Sequence, residues 1–265
     1  MIKKLAVAIL FTMGVLAFPV RLLTESPVIE AILKIAKAIV FISVFFLLMK
    51  RENFLRKQTL LRKIPGNLFI TLLPVVVVIA LYILYFFNKN IKDYEGTPLL
   101  LVLGLFGTFL AASGEEIVFR GYIFNLLKKN KFSFLKSLLL SSVFFSLIHI
   151  VNSFRLDDAW AIFNQLCFAF ALGLLLGSVY ALTNNLLLVC IFHFLINIPT
   201  SITKISETPE YDTALPNATL AENLLSTLFF IGLMLPVLLL SYYYIQRVNK
   251  KGVEKFEEDP LSAVK

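Results

Sequence analysis

Three charged side chains interrupt an apolar stretch that is otherwise long enough to cross a membrane. Glu115, Glu116 and Arg120 lie between two runs without charged residues, 96–114 and 121–127. A charged group inside a bilayer costs several kcal/mol unless it is paired or hydrated, so such groups are usually functional. Glu116 and Arg120, four residues apart, can neutralise each other on one helix face. Glu115 points about 100° away and needs its own partner or its own water.

Both histidines of the chain also lie in apolar segments. His149 follows Phe145 at a spacing of four residues, and Asn197 follows His193 at the same spacing, so each pair shares a helix face. Counting about 1.5 Å per residue places Glu115 and both histidines in the middle of a hydrocarbon core about 30 Å thick. We therefore expect these side chains to converge on one polar cavity between three helices.

These residue types indicate hydrolysis by an activated water molecule. A glutamate in a medium of low dielectric constant is a better general base than a solvated one. Histidine can share that task, bind a metal or donate to an oxyanion, and the amide of asparagine suits an oxyanion hole. The chain contains no Ser-His-Asp order, HExxH motif or phosphate-binding glycine loop. Ser113, close to Glu115, is a weaker candidate nucleophile than water.

The composition is that of a polytopic membrane protein. Of the 265 residues 58% are hydrophobic, whereas soluble domains are about 45–50% apolar. The net charge is +8, but the basic residues lie in short segments beside apolar spans. This pattern favours membrane lipid as a partner and argues against nucleic acid. Cys167 and Cys190 lie inside apolar runs and are interpreted as core residues without a disulfide.

About eight transmembrane helices hold these candidate site residues. The sequence therefore predicts an all-α membrane bundle. The apolar windows long enough to span are 5–23, 29–49, 67–87, 98–127, 134–150, 160–182, 185–198 and 222–246. These windows predict a single transmembrane domain over 1–246, with its motif-bearing core at 98–198. A polar cytoplasmic tail follows at 247–265. The first window has no clear cleavage site and is predicted to be an uncleaved helix.

Smaller signals refine this arrangement. Thr183-Asn184-Asn185 predicts a turn between the sixth and seventh spans. The sixth span carries small residues at four-residue spacing, which predicts close packing against another helix: Ala169, Gly173, Gly177 and Ala181. Lys34 and Lys37 in the second span are expected to reach a membrane interface.

The distribution of lysine and arginine predicts the orientation. An N-terminus in the cytoplasm puts most basic residues in inner segments, which fits the positive-inside rule for an even number of spans. Both termini are then cytoplasmic, the segment near 50–66 is inside, and the loop near 199–221 is outside. The expected location is a bacterial plasma membrane.

The motifs together resemble those of the CAAX protease and bacteriocin-processing (CPBP, or Abi) family of intramembrane proteases. The resemblance covers roughly residues 98–198 and rests on three motifs in order: Glu115-Glu116-x-x-x-Arg120, Phe145-x-x-x-His149 and His193-x-x-x-Asn197. It implies an all-helical bundle and a glutamate-dependent endopeptidase, often argued to be a metalloprotease. Eukaryotic members of the family remove the last three residues of prenylated proteins.

The resemblance also implies a role for each motif residue: water activation by Glu115 with His149, oxyanion or metal binding by His193 with Asn197, and shaping of the site by Glu116 with Arg120. The two histidines would be the ligands of a divalent metal such as zinc, if one is used. The substrate would be a membrane-associated peptide or protein.

Two other classes of function stay open at the level of the sequence. One is an immunity or regulatory membrane protein that acts by binding a partner, since some bacterial members of the resembled family are implicated in bacteriocin self-immunity. The other is a proton-coupled transporter, since glutamate and histidine chains also relay protons. The chain shows no inverted repeat, which weakens the transporter. Cleavage of a membrane peptide, lost in Glu115→Ala, would separate the protease from both.

Overall fold

The computed structural model describes residues 1–55, 66–92, 94, 96–154, 158–205 and 219–250, and its regular structure there is entirely helical. The α-helices in this part of the chain are α1 (Ile2–Ala17), α2 (Pro27–Arg51), α3 (Gly66–Lys92), α4 (Pro98–Glu116), α5 (Asn125–Lys129), α6 (Phe134–Leu147), α7 (Ala159–Thr183), α8 (Leu186–Ile205) and α9 (Leu220–Lys250). Short 3-10 segments occupy Val20–Leu23 and Ile148–Phe154, and a π-helical segment, Ile117–Phe124, joins α4 to α5.

The helices confirm an integral membrane bundle. In the part of the chain that the structure describes, five helical segments are long and apolar enough to cross a bilayer: Pro27–Arg51, Pro98–Lys129, Phe134–Ser153, Ala159–Thr183 and Leu220–Lys250. Shorter apolar windows, Leu68–Leu84 and Leu186–Pro199, lie within α3 and α8. Every predicted window therefore contains a helix, and the described residues form between five and eight crossings.

The first helix is shorter than its predicted window. α1 ends at Ala17, and Phe18 adopts an extended conformation because the residue before a proline, here Pro19, is disfavoured in the helical region. Lys37 of α2 donates from Nζ to the carbonyl oxygens of Val15 at 3.2 Å and Phe18 at 3.3 Å. Lys37 thus caps the end of α1, and its expected position at a membrane interface stays a prediction.

A continuous helical segment from Pro98 to Lys129 forms the centre of the bundle. The Thr97 hydroxyl accepts from the backbone N–H of Leu100 at 3.3 Å, so the segment begins with a side-chain cap followed by proline. Every residue from 116 to 127 is buried, and α2, α6 and α8 pack around this stretch. A helix surrounded by protein on all sides keeps its charged residues away from lipid.

Helices α6 and α7 pack closely through the small residues predicted for that purpose. A Cβ atom added to Gly173 would lie 3.1 Å from Ser142 Cα, and one added to Gly177 would lie 2.5 Å from Leu138 Cδ1. The predicted turn after α7 is also confirmed. Asn184 ends the helix with φ of 49°, a left-handed conformation that asparagine adopts more readily than most residues.

One end of the bundle gathers three chain segments that are distant in sequence. Glu52, just after α2, accepts hydrogen bonds from Lys4 of α1 and from Lys129 of α5, the latter at 2.8 Å. These segments are the ones assigned to the inner side, and we expect this end to be cytoplasmic. The rest of the inner segment near 50–66, most of the outer loop near 199–221 and the tail beyond residue 250 lie outside the described residues.

Candidate active site

Glu116 and Arg120 form the ion pair that their spacing predicts. Arg120 Nη1 donates to Glu116 Oε1 at 2.8 Å, and Nη2 donates to the carbonyl oxygen of Gly173 at 3.0 Å. The guanidinium also lies 4.6 Å from the centroid of the Phe145 ring. Glu116 is 0% and Arg120 is 1% exposed. In such surroundings, removal of either partner leaves an uncompensated buried charge.

The pair lies where α4 changes into the π-helical segment Ile117–Phe124. Glu115 and Glu116 are the last residues of α4, and Arg120 belongs to the widened turn. Single π-helical turns inside α-helices occur frequently at functional sites. Ser141 of α6 donates to the carbonyl oxygen of Phe119 at 2.9 Å and so ties this turn to its neighbour. The apolar window 98–127 contains no sign of this change.

His193 of α8 joins the two glutamates. Its Nδ1 lies 2.8 Å from Glu116 Oε1, and its Nε2 lies 3.9 Å from Glu115 Oε2. Because an ionised carboxylate can only accept hydrogen bonds, Nδ1 carries the proton that is shared with Glu116. In the neutral imidazole, Nε2 is then an acceptor that faces Glu115. The Glu115 side chain keeps 14% of its surface exposed, whereas Glu116 is fully enclosed.

Phe145 stands between the two histidines. The centroid of its ring lies 5.2 Å from that of His149 and 5.6 Å from that of His193. His149 Nδ1 lies 2.9 Å from the carbonyl oxygen of Phe145. Since a carbonyl only accepts, this nitrogen carries the proton, and Nε2 of the neutral ring is an acceptor.

The structure adds two details about the histidines that the sequence did not predict. The helix predicted over 134–150 ends at Leu147, and His149 lies in the following 3-10 segment. The histidine beside Glu115 is His193: among the described residues, His149 makes no ion pair with that carboxylate. The shared role of Glu115 and His149 in activating water stays a prediction.

Asn197 lies on α8 one turn beyond His193. The residue is partly buried, and its backbone carbonyl accepts a hydrogen bond from Ser201 Oγ at 2.7 Å. The predicted site residues thus come from three places: the end of α4 with the π-helical segment, the end of α6, and α8.

Several residues near this centre were not predicted to belong to it. The carbonyl oxygen of Gly173 accepts a hydrogen bond from Arg120, and Cys190 Sγ lies 4.0 Å from the carbonyl oxygen of Ser113. The position of Cys190, three residues before His193, was the one signal that could have linked it to the site. Within the described part of the chain, Ser113 Oγ and Glu116 Oε2 are buried without a hydrogen-bond partner.

The side chains of the site are not arranged as a metal centre. Among the described residues, no three His, Cys, Asp or Glu side chains are grouped closely enough to hold an ion. His193 Nδ1 is engaged by Glu116, and His149 Nδ1 by a backbone carbonyl. Zinc needs three or four protein ligands at about 2.0–2.3 Å, so this placement of His149 and His193 does not fit it. Whether the protein binds a metal stays a prediction, which a measurement of the metal content of the purified protein would test.

The comparison with protein families agrees with the site. Residues 97–199 match the family model described as Type II CAAX prenyl endopeptidase Rce1-like, and this stretch contains all three motifs. This segment is therefore similar to the CAAX protease and bacteriocin-processing family, to which the matching model of CAAX prenyl endopeptidases belongs. No curated protein and no solved structure matches the chain.

Proposed function

We propose that this protein hydrolyses a peptide bond of a membrane-anchored substrate with a water molecule activated by Glu115. The observation that carries the proposal is the distance of 3.9 Å between Glu115 Oε2 and His193 Nε2, two acceptors that face each other. A water oxygen about 2.8 Å from both atoms can donate one hydrogen to each. Its lone pairs then point away from both side chains, as a nucleophile requires.

Glu115 acts as the general base in this scheme. It takes a proton as the water oxygen bonds to the carbonyl carbon, and it returns that proton to the leaving amine when the C–N bond breaks. The products are a new carboxylic acid and a new amine, and the acid then transfers its proton to the amine to give a carboxylate and an ammonium group. Glu116 and Arg120 hold His193 with its proton on Nδ1, so that Nε2 stays available to the water.

Asn197 and His149 are the two polar groups that we consider for binding the developing oxyanion. Asn197 offers an NH₂ donor in either protonation state of the site. His149 can donate from Nε2 only as an imidazolium, because the proton of the neutral ring faces the Phe145 carbonyl. We therefore assign the oxyanion to Asn197 and, in its protonated form, to His149.

The family match suggests the substrate class. The matching model describes CAAX prenyl endopeptidases, so a prenylated C-terminal peptide is the first substrate to test. The same peptide without the lipid is its control. We expect cleavage to persist in excess chelator, because the donor atoms are not grouped as a metal site. Loss of activity that zinc restores would overturn this expectation.

The deciding experiment is cleavage of these peptides by the purified protein in lipid vesicles. Glu115→Gln keeps the size of the side chain but removes the basic oxygen, and turnover should fall by about 10²–10⁴-fold. Glu30→Gln is the matched control, since Glu30 pairs with Lys34 on α2. Full activity of a folded Glu115→Gln variant would defeat the proposal. In that case, or with no cleavage by the unaltered protein, partner binding, as in bacteriocin self-immunity, would take its place.

A further inference from the structure

Asn125 makes an unusual set of contacts just after the π-helical segment. Its Nδ2 lies 2.7 Å from the carbonyl oxygen of Arg120, 2.9 Å from that of Gly121, and 3.2 Å from Tyr180 Oη on α7. Both carbonyls can only accept, so the NH₂ group and not the amide oxygen must face them. Asn125 is 7% exposed, so water cannot readily replace these bonds.

The backbone explains why a side chain donates at this place. The N–H of residue 125 would reach the Gly121 carbonyl in an α-helix, or the Arg120 carbonyl in a π-helix. The N–H of Asn125 also donates to the carbonyl oxygen of Tyr122, so the hydrogen-bond pattern changes at this residue. The side-chain amide of Asn125 therefore supplies a donor to both carbonyls at the point where the π-helical segment returns to α-helix.

The same turn carries the guanidinium of the proposed site. Arg120 contributes its backbone carbonyl to Asn125 and its side chain to Glu116 and to the Gly173 carbonyl. A helix that gained or lost one residue per turn here would rotate the rest of the helix by about 100°. Arg120 would then leave Glu116, and the orientation of His193 would lose its support.

We infer that Asn125 is a positioning residue of the proposed active site, which holds the π-helical turn open and thereby fixes Arg120, Glu116 and His193. The inference rests on the proposed function for its catalytic consequence. Its geometric consequence, the state of His193, can be measured without turnover. Tyr180, which lies on α7, provides its hydroxyl oxygen as a further acceptor for the NH₂ group of Asn125.

The test compares two asparagines that make similar bonds. Asn125→Leu removes the NH₂ group at nearly constant size. Asn130→Leu is the matched control, because Asn130 Nδ2 donates to the Leu126 carbonyl at 2.7 Å, outside the π-helical segment. We expect kcat to fall about 100-fold in Asn125→Leu with KM nearly unchanged, the loss typical of a small misplacement of catalytic groups. Asn125→Gln, which keeps an amide, should recover part of kcat.

The second readout is nitrogen NMR of protein labelled in histidine. The chain has two histidines, so each ring can be assigned with a His149→Gln reference. The Nδ1–H form of His193 should be lost in Asn125→Leu and kept in Asn130→Leu. If Asn125→Leu fails to fold, Tyr180→Phe provides the same test with a smaller expected shift.

The two proposals fail in different ways. An unchanged His193 spectrum in Asn125→Leu, or a kcat no lower than that of Asn130→Leu, overturns the positioning role. Cleavage that survives in Glu115→Gln overturns the proposed function instead, whatever the spectrum shows.

Discussion

Two carboxylates of this protein each hold two basic side chains, but in different surroundings. Glu116 binds Arg120 and His193 in the centre of the bundle, while Glu52 binds Lys4 and Lys129 at one end. The central side chains are at most 3% exposed, whereas the two lysine side chains at the end are 53% and 43% exposed. Both clusters join helices that are remote in sequence, so burial is what distinguishes them.

The exposure of the charged side chains indicates a different role for each cluster. An ion pair with exposed lysines loses little hydration and contributes about 0–1 kcal/mol, which suits a tether between α1, α2 and α5. A fully buried pair loses most of its hydration, and apolar side chains of the same size often stabilise a fold equally well. The central cluster is therefore difficult to explain by stability alone, and its contact with Glu115 through His193 agrees with the catalytic role proposed above.

The largest effect is expected from Glu116→Ala. The change leaves Arg120 buried without its carboxylate, which costs about 3–5 kcal/mol, and it removes the group that orients His193. Thermal unfolding in detergent should shift strongly, and turnover should be lost. Glu52→Ala, the corresponding change in the other cluster, should shift unfolding far less. Equal shifts in the two variants would contradict the comparison.

Replacing both members of the central pair should separate stability from activity. In Glu116→Leu with Arg120→Met no charge is left unpaired, so the free energy of unfolding should equal that of the original protein or exceed it by about 1–4 kcal/mol. Activity should stay absent because His193 has no carboxylate on Nδ1. A double variant that is as unstable as Glu116→Ala would show that the pair is needed for folding.

The close approach of α7 to α6 should be sensitive to one methyl group. Gly173→Ala places a Cβ atom 3.1 Å from Ser142 Cα, and overpacking of this kind costs about 1–3 kcal/mol. The shift would also move the carbonyl that receives Arg120, so kcat should fall with stability. Gly232→Ala is the control, since nothing lies within 4 Å of its added Cβ. Similar unfolding curves for both variants would refute this reading of the packing.

The smallest effect is expected from Glu52→Gln, and it should depend on pH. Burial alone would raise the pKa of Glu52, but Lys129 and Lys4 outweigh it and hold the pKa below its ordinary value of 4.5. The tether therefore stabilises the fold above that value and loses its effect as pH falls through the lower, folded-state pKa. The unfolding midpoints of variant and parent should differ slightly at pH 7 and converge in acid.

High salt gives a second test of the same tether. The exposed lysines should be screened at about 1 M salt, where the Debye length is about 3 Å. The difference between Glu52→Gln and the parent should then shrink, while the effect of Glu116→Ala should persist. A salt-sensitive central cluster would mean that water reaches it.

Local patterns were sufficient for the class of fold and for one contact of the site. Each apolar window became helix because length and hydropathy act over neighbouring residues. Asn184 ended α7 for a local reason too, its tolerance of the left-handed conformation. The pair of Glu116 with Arg120 also needed only helical spacing.

Which histidine faces Glu115 could be seen only from the packing of the helices against one another. His193 is 77 residues from Glu116, and its place depends on the rotation of α8 against α4, which helical periodicity within either segment does not determine. The end of α6 at Leu147 and the π-helical segment Ile117–Phe124 are likewise not visible in the hydropathy of their windows. Hydropathy measures how much of a helix is apolar. The site depends instead on which side chains meet between helices, and the packing of the helices determines these contacts.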